Sequence, residues 1–197
     1  MAGAHEKLEQ AEHAEHAASS NKKVALLISV LALFLAFAET LGKRAQTEGI
    51  SYNIKASDTW NFFQAKTIRQ TTLRTAAEAM AIETAALTDE TMKASLNKQI
   101  EAWRATVARY ESDPKEKDGR KELRAQAEDY EHQRDTLLAK YHHYEVASAA
   151  FQIGIVLASA TVITGMIVLS FIAAGLGVVG LGFMAIAMFA PHALHLF

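Results

Sequence analysis

Histidine and glutamate crowd the start of the chain as His5, Glu9, Glu12, His13, Glu15 and His16. On a helix, Glu9/His13, Glu12/His16 and His13/His16 stand three or four residues apart, a spacing by which neighbouring side chains could share Zn²⁺ or Ni²⁺. A firm centre needs three or four ligands held rigidly by outer residues, and this tail supplies none. A solvated helical tail is the favoured reading, so no metal centre and no cofactor are expected. His13 and His16 are the only metal candidates.

Tyr141-His142-His143-Tyr144-Glu145 is a second cluster. Imidazole titrates near neutrality, which allows a proton or metal role. Aromatic residues also settle where lipid meets water, and Tyr141 and Tyr144 are expected to anchor that boundary. His192 and His195, three apart after Pro191, are expected to close the last apolar segment. Glu39 is the one acid at the edge of an apolar run, with Lys43 four residues on, and is the candidate for an intramembrane or pore-lining carboxylate. Trp60 and Phe63 share a helix face and are expected to pack, while Gln64 and Lys66 are expected in solvent. No phosphate-binding glycine loop, His-Glu-x-x-His motif or nucleophile elbow occurs. No enzyme is expected, and no catalytic residue is assigned.

The elements that position these residues follow from hydropathy. Residues 146–197 contain no Asp, Glu, Lys or Arg, whereas a bilayer core about 30 Å thick is crossed by ~20 helical residues. The run therefore reads as two spans, at 146–172 and 178–197, joined by a glycine-rich turn at 173–177. Residues 24–41 read as a first span, with Lys22 and Lys23 able to snorkel before it. Residues 1–23 form the polar tail, without the basic-then-apolar pattern of a cleaved signal. Small residues four apart, Gly154/Ala158, Thr161/Gly165 and Ser170/Ala174, predict a face on which helix backbones approach closely in lipid. The 20 basic and 22 acidic residues mix outside the C-terminal spans, without the single-sign surface nucleic acid demands. Absence of cysteine excludes disulfides and thiolate metal sites.

Residues 42–145 form a polar helical domain with proline only at Pro114. Leu73, Ala77, Met80, Thr84 and Leu87 alternate steps of four and three, as do Leu96, Ile100, Trp103, Val107 and Tyr110. Leu123, Tyr130, Leu137 and Tyr144 stand seven apart, with Ala127 and Tyr141 between them. That period predicts a coiled-coil-like seam. A capping signal at Thr88-Asp89-Glu90 and a breaker from Ser112 to Gly119 divide the domain. The outgoing helix then ends near residue 87, and helices 90–111 and 119–145 bring the chain back as a long antiparallel hairpin.

Three segments, Ala56-Ser57-Asp58-Thr59-Trp60-Asn61-Phe62-Phe63-Gln64-Ala65-Lys66, Tyr110-Glu111-Ser112-Asp113-Pro114-Lys115-Glu116 and Phe151-Gln152-Ile153-Gly154-Ile155-Val156-Leu157-Ala158-Ser159, stand in this order behind the His/Glu tail and a single apolar helix. Together they resemble the bacterial family of small membrane proteins known as domain of unknown function 4337. The resemblance implies a bacterial inner-membrane location and supplies no activity or functional residue.

The fold class expected is all-α, an integral membrane protein with three transmembrane helices and a hairpin inserted between spans one and two. The expected role is structural: a homo-oligomer in contact with membrane lipid that docks a protein partner through the hairpin. An oligomeric channel and a metal- or pH-responsive sensor using the tail are the alternatives.

Overall fold

The computed structural model describes residues 2–193, with side chains from Lys22 onward. The readings for His13, His16 and His195 fall outside that part. Among the described residues the chain is wholly helical: α1 (Ala2–Ala85), α2 (Glu90–Glu111), α3 (Arg120–Thr164) and α4 (Val168–Phe189). Three of them, α1, α3 and α4, are long and apolar enough to cross a membrane.

The helix ends follow from local chemistry. After α1, Asp89 turns extended and its carboxylate accepts from the N–H groups of Thr91 and Met92 at 2.9 and 3.1 Å, capping α2. Glu90 adds an acid to that first turn, where the helix dipole favours it. At the other end of α2 the chain becomes extended at Ser112, and Pro114 follows. Lys117 adopts a left-handed φ of 59°. Glu122 then closes the loop, accepting from Ser112 Oγ at 2.6 Å and Asp113 N–H at 3.1 Å.

Between α3 and α4 the expected turn is displaced. The reversal lies at Gly165-Met166-Ile167, where Gly165 takes φ +69° and Thr164 Oγ1 accepts from Met166 N–H at 3.3 Å. Residues 173–177 are helical instead, so the apolar helices end at Thr164 and begin at Val168. The reason is packing. Along α4 the buried positions Ala173, Gly177, Gly180, Met184 and Ala187 alternate steps of four and three, a seam of mostly small residues. A Cβ on Gly177 would meet Leu31 at 2.7 Å, and one on Gly180 would meet the Phe151 ring at 2.7 Å. The glycines are needed as a close-contact face, and only Gly165 uses glycine's conformational freedom.

The chain divides into two compact units. One joins residues 1–49 to 136–197. Its core takes Val24, Leu31 and Ala38 from α1, Tyr144, Ala147, Phe151 and Ala158 from α3, and Ala173, Met184 and Ala187 from α4. Phe151 is fully buried and stacks on Phe34 with centroids 6.0 Å apart. The remaining faces of these helices are apolar and uncovered: Leu26, Leu33, Ile163, Phe171, Val178 and Phe189 are all exposed.

The second unit is residues 50–135. Ala56, Ala77 and Thr84 of α1, Ile100 of α2, and Leu123 and Ala127 of α3 are buried there. As numbering rises along α1, the Tyr52 ring lies tilted against that of Tyr130, Trp60 reaches Glu131, Thr67 reaches Arg120, and Gln70 reaches Glu111 and Val107.

Gly180→Ala and Gly177→Ala are expected to destabilise the first unit by about 1–3 kcal/mol through overpacking. Gly175→Ala and Gly182→Ala, where an added Cβ meets nothing within 4 Å, are expected to leave the thermal midpoint unchanged or raise it. Thermal unfolding of the four variants in detergent checks the contrast.

Candidate functional site

Two constellations gather the polar side chains of interest, one in each unit. The first is a groove of about 400 Å³ between α1 and α3, where the apolar run of each helix gives way to polar residues. Glu39, Lys43 and Gln46 line it from α1, and Tyr141, Glu145 and Gln152 from α3. Gly42 lets the helices close up, since a Cβ there would stand 3.2 Å from that of Tyr144.

Glu39 does not pair with Lys43. It accepts instead from Gln152 Nε2 at 3.2 Å, and Gln152 also reaches Ser148 Oγ at 3.4 Å. Tyr141 donates to Glu145 at 3.4 Å. Burial raises the Tyr141 pKa above its ordinary value, and the nearby Glu145 charge and hydrogen bond raise it further. Chemically the groove offers two carboxylates and an ammonium, enough to hold donors and an anion together. Tyr144 is buried with its ring in the core, whereas Tyr141 stays partly exposed.

His143, beside this groove in sequence, is 1% exposed. Its Nε2 lies 3.0 Å from the Pro191 carbonyl, which can only accept, so Nε2 carries the proton. Nδ1 is buried without a hydrogen-bond partner, and the ring stacks on Phe183. Thr136 Oγ1 stands 3.1 Å from His192 Nε2. These contacts tie the residues after α4 to α3. His142 Nδ1 is 3.7 Å from Glu145.

The second constellation joins α1, α2 and α3 in the other unit. Lys66, expected in solvent, is 5% exposed; its ammonium meets Asp118 at 2.7 Å and lies over the Phe62 and Tyr110 rings. Gln70 is 3% exposed and donates to Glu111 at 2.8 Å and to the Val107 carbonyl at 3.2 Å. Arg120 donates to Gln70 Oε1 at 2.6 Å, Glu111 at 2.8 Å and Thr67 Oγ1 at 2.9 Å, with its guanidinium over Phe63. The Gln70 hydrogen bond, with Arg120 beside it, lowers the Glu111 pKa. The Ser112 hydrogen bond lowers that of Glu122. Trp60 Nε1 donates to Glu131 at 3.0 Å, and its ring meets Phe63 edge-on. The polar ends of Gln70 and Arg120 bond across α1, α2 and α3, so this joint sets how three helices meet.

Sequence reasoning missed Lys66, Gln70 and Arg120. The signal was present: extending the Leu73/Ala77/Met80/Thr84/Leu87 pattern back one repeat lands on Lys66 and Gln70. Among the residues expected to pack helices, Gly154, Ala158 and Thr161 do face the core. A Cβ on Gly154 would stand 3.2 Å from Leu31 and 3.3 Å from the Ala173 carbonyl, and Ala158 and Thr161 are buried. Gly165 belongs to the turn, and Ser170 and Ala174 lie on α4, so those two pairs do not make one face with Gly154. Among the described residues no group of three or more His, Cys, Asp or Glu could hold a metal ion.

Residues 20–190 match the family model described as Domain of unknown function (DUF4337). The chain belongs to this family. The match takes in both constellations of this DUF4337 protein and leaves His13 and His16 outside it. Neither curated proteins nor solved structures yield a match.

Arg120→Ala leaves Gln70 Oε1 without its donor and removes the charge beside Glu111, and is expected to cost this DUF4337 protein about 2 kcal/mol. Faster hydrogen exchange across residues 107–123 is the readout. Acid should act on the same place. Folded-state pKa values below the ordinary 4.5 make the Glu111 and Glu122 contributions complete above that value. They are lost as pH falls through the lower folded values. Exchange measured on either side of pH 4.5, corrected for intrinsic rates, should show this loss, and Glu122→Gln should weaken it.

Proposed function

We propose that this protein is a non-enzymatic scaffold of the bacterial inner membrane, in which three spans hold a helical hairpin that associates with other copies or a protein partner. The observation that carries the reading is the uncovered apolar surface of the first unit. Ile163 is 85% exposed and Phe189 84%, with Phe171, Val178 and Leu26 close behind. Contiguous apolar surface beyond a few hundred Å² is foreign to a soluble monomer and ordinary against lipid. The inner-membrane assignment follows the family resemblance.

The hairpin reading is supported by the order of contacts along α1. They fall first on residues 130 and 131, then on 120, then on 111 and 107. The outgoing arm is one helix, and the returning arm is two helices laid end to end. The polar groups packed along that arm bond to one another, which suits a part built for shape. Its heptad residues are spent inside the chain: Ala77, Thr84, Ile100, Leu123 and Ala127 are buried. A partner must therefore use another face.

Carbonate extraction should leave the full-length protein in the membrane pellet, and native mass measurement in lipid should show more than one copy. Deleting residues 1–20 should change neither result. A chain that is released by carbonate, or that stays monomeric in lipid with no partner bound, overturns the scaffold reading.

A further inference from the structure

The face of α1 turned away from α2 and α3 carries a second line of period seven: Ile54, Asn61, Ile68, Thr75 and Ile82. All five are exposed, Ile68 at 67% and Ile82 at 75%. Beside it runs Ala65, Thr72 and Ala79, again seven apart and small. Asp58 interrupts that second row one turn after Ile54. Ile68, Thr72, Thr75 and Ala79 line one shallow groove. In the first unit the same line continues in sequence as Leu26, Leu33, Thr40 and Thr47, all exposed. Nine successive heptad positions thus carry no charge.

A straight helix of 3.6 residues per turn drifts ~20° per heptad, so a surface line of period seven would wander around it. In α1 the positions 56, 63, 70, 77 and 84 hold to the inner side throughout the second unit, as coiled-coil packing requires. A helix underwound to keep one such line inward keeps every parallel line on a constant face. The outer line is therefore a persistent stripe. Thr40 and Thr47 on this line bond the carbonyls of Ala36 and Lys43 at 2.7 and 2.9 Å, and Thr72 in the neighbouring row bonds that of Ile68 at 2.9 Å.

Resting on the scaffold reading above, we infer that a second copy of this chain packs along this stripe, parallel and in register. Copies inserted in one bilayer with one orientation run α1 in the same direction, so like positions meet: Ile68 with Ile68, Ile82 with Ile82. A second copy matches the period and length by identity. Asn61 then faces Asn61, and a single polar residue at a seam position specifies register at some cost in stability. The stretch from Ile54 to Ile82 is about 43 Å long and a helix about 10 Å wide, giving roughly 900 Å² over both copies. That is the size of a transient contact, which confinement of both copies in one bilayer would favour.

The chain has no cysteine, so single substitutions report unambiguously. Ile54→Cys, Ile68→Cys and Ile82→Cys in full-length protein reconstituted in liposomes should each give a disulfide-linked dimer on mild oxidation. Arg124→Cys, exposed on α3, should give at least tenfold less. Ile68→Glu with Ile82→Glu should lower the yield at Thr75→Cys at least tenfold, with helical content by circular dichroism unchanged. Cross-linking at only one of the three positions overturns the parallel register. Dimers seen by native mass, with no cross-link above the Arg124→Cys level, overturn the stripe and leave the scaffold standing. Monomers alone in lipid overturn both.

Discussion

One helix, α1, enters both units, and the period of its buried side chains constrains everything packed on it. Val24, Leu31, Ala38 and Ala45 are buried at intervals of seven, and positions 56, 70, 77 and 84 keep the same interval in the second unit. A period of 3.5 residues per turn can be satisfied only by helices that run alongside. The three segments that do so, α2 and the two parts of α3, carry the matching interval. In the first unit small residues, mostly glycine and alanine, fill α4's side of the contact. In the second unit larger side chains such as Ile100, Leu123 and Tyr130 do so, with burial from water as the driving force.

Two separate helices, α2 and α3, packed on α1 have a weakness that a single helix lacks, since they could slide at the break between them. Lys66, Gln70, Arg120, Glu111 and Asp118 meet at that break. Buried charge is costly to desolvate, and its best-attested use is to enforce one arrangement among several of similar energy. Each partner here has a defined direction, so a slip of one residue would leave a lysine or glutamine buried and unpaired. The loop closed by Glu122 on Ser112 and Asp113 adds a second tie within ten residues.

The same logic bears on function. Polar groups spent on register are less free to hold substrate, and the groove at Glu39 and Glu145 brings carboxylates and an ammonium to a common cavity. What the fold offers outward is surface: apolar faces on the first unit and an uncharged stripe on α1. A molecule whose outward features are long, periodic faces is suited to association along its length.

Sequence alone established the helical class and the breaks near residues 87–90 and 112–119, because capping residues and proline act locally. It also showed three apolar segments, since the absence of charge over fifty residues needs no fold to interpret. It misplaced the last turn, because a cluster of glycines signals either a reversal or a close helix contact. Only the partner residues, Leu31 and Phe151, decide between them. It put Lys66 in solvent for the same reason: a cation's default is water, and only the arrival of Asp118, Phe62 and Tyr110 from elsewhere in the chain makes burial tolerable. Local chemistry determined where helices start and stop. Tertiary structure decided which of their faces are spent within the chain and which are left exposed.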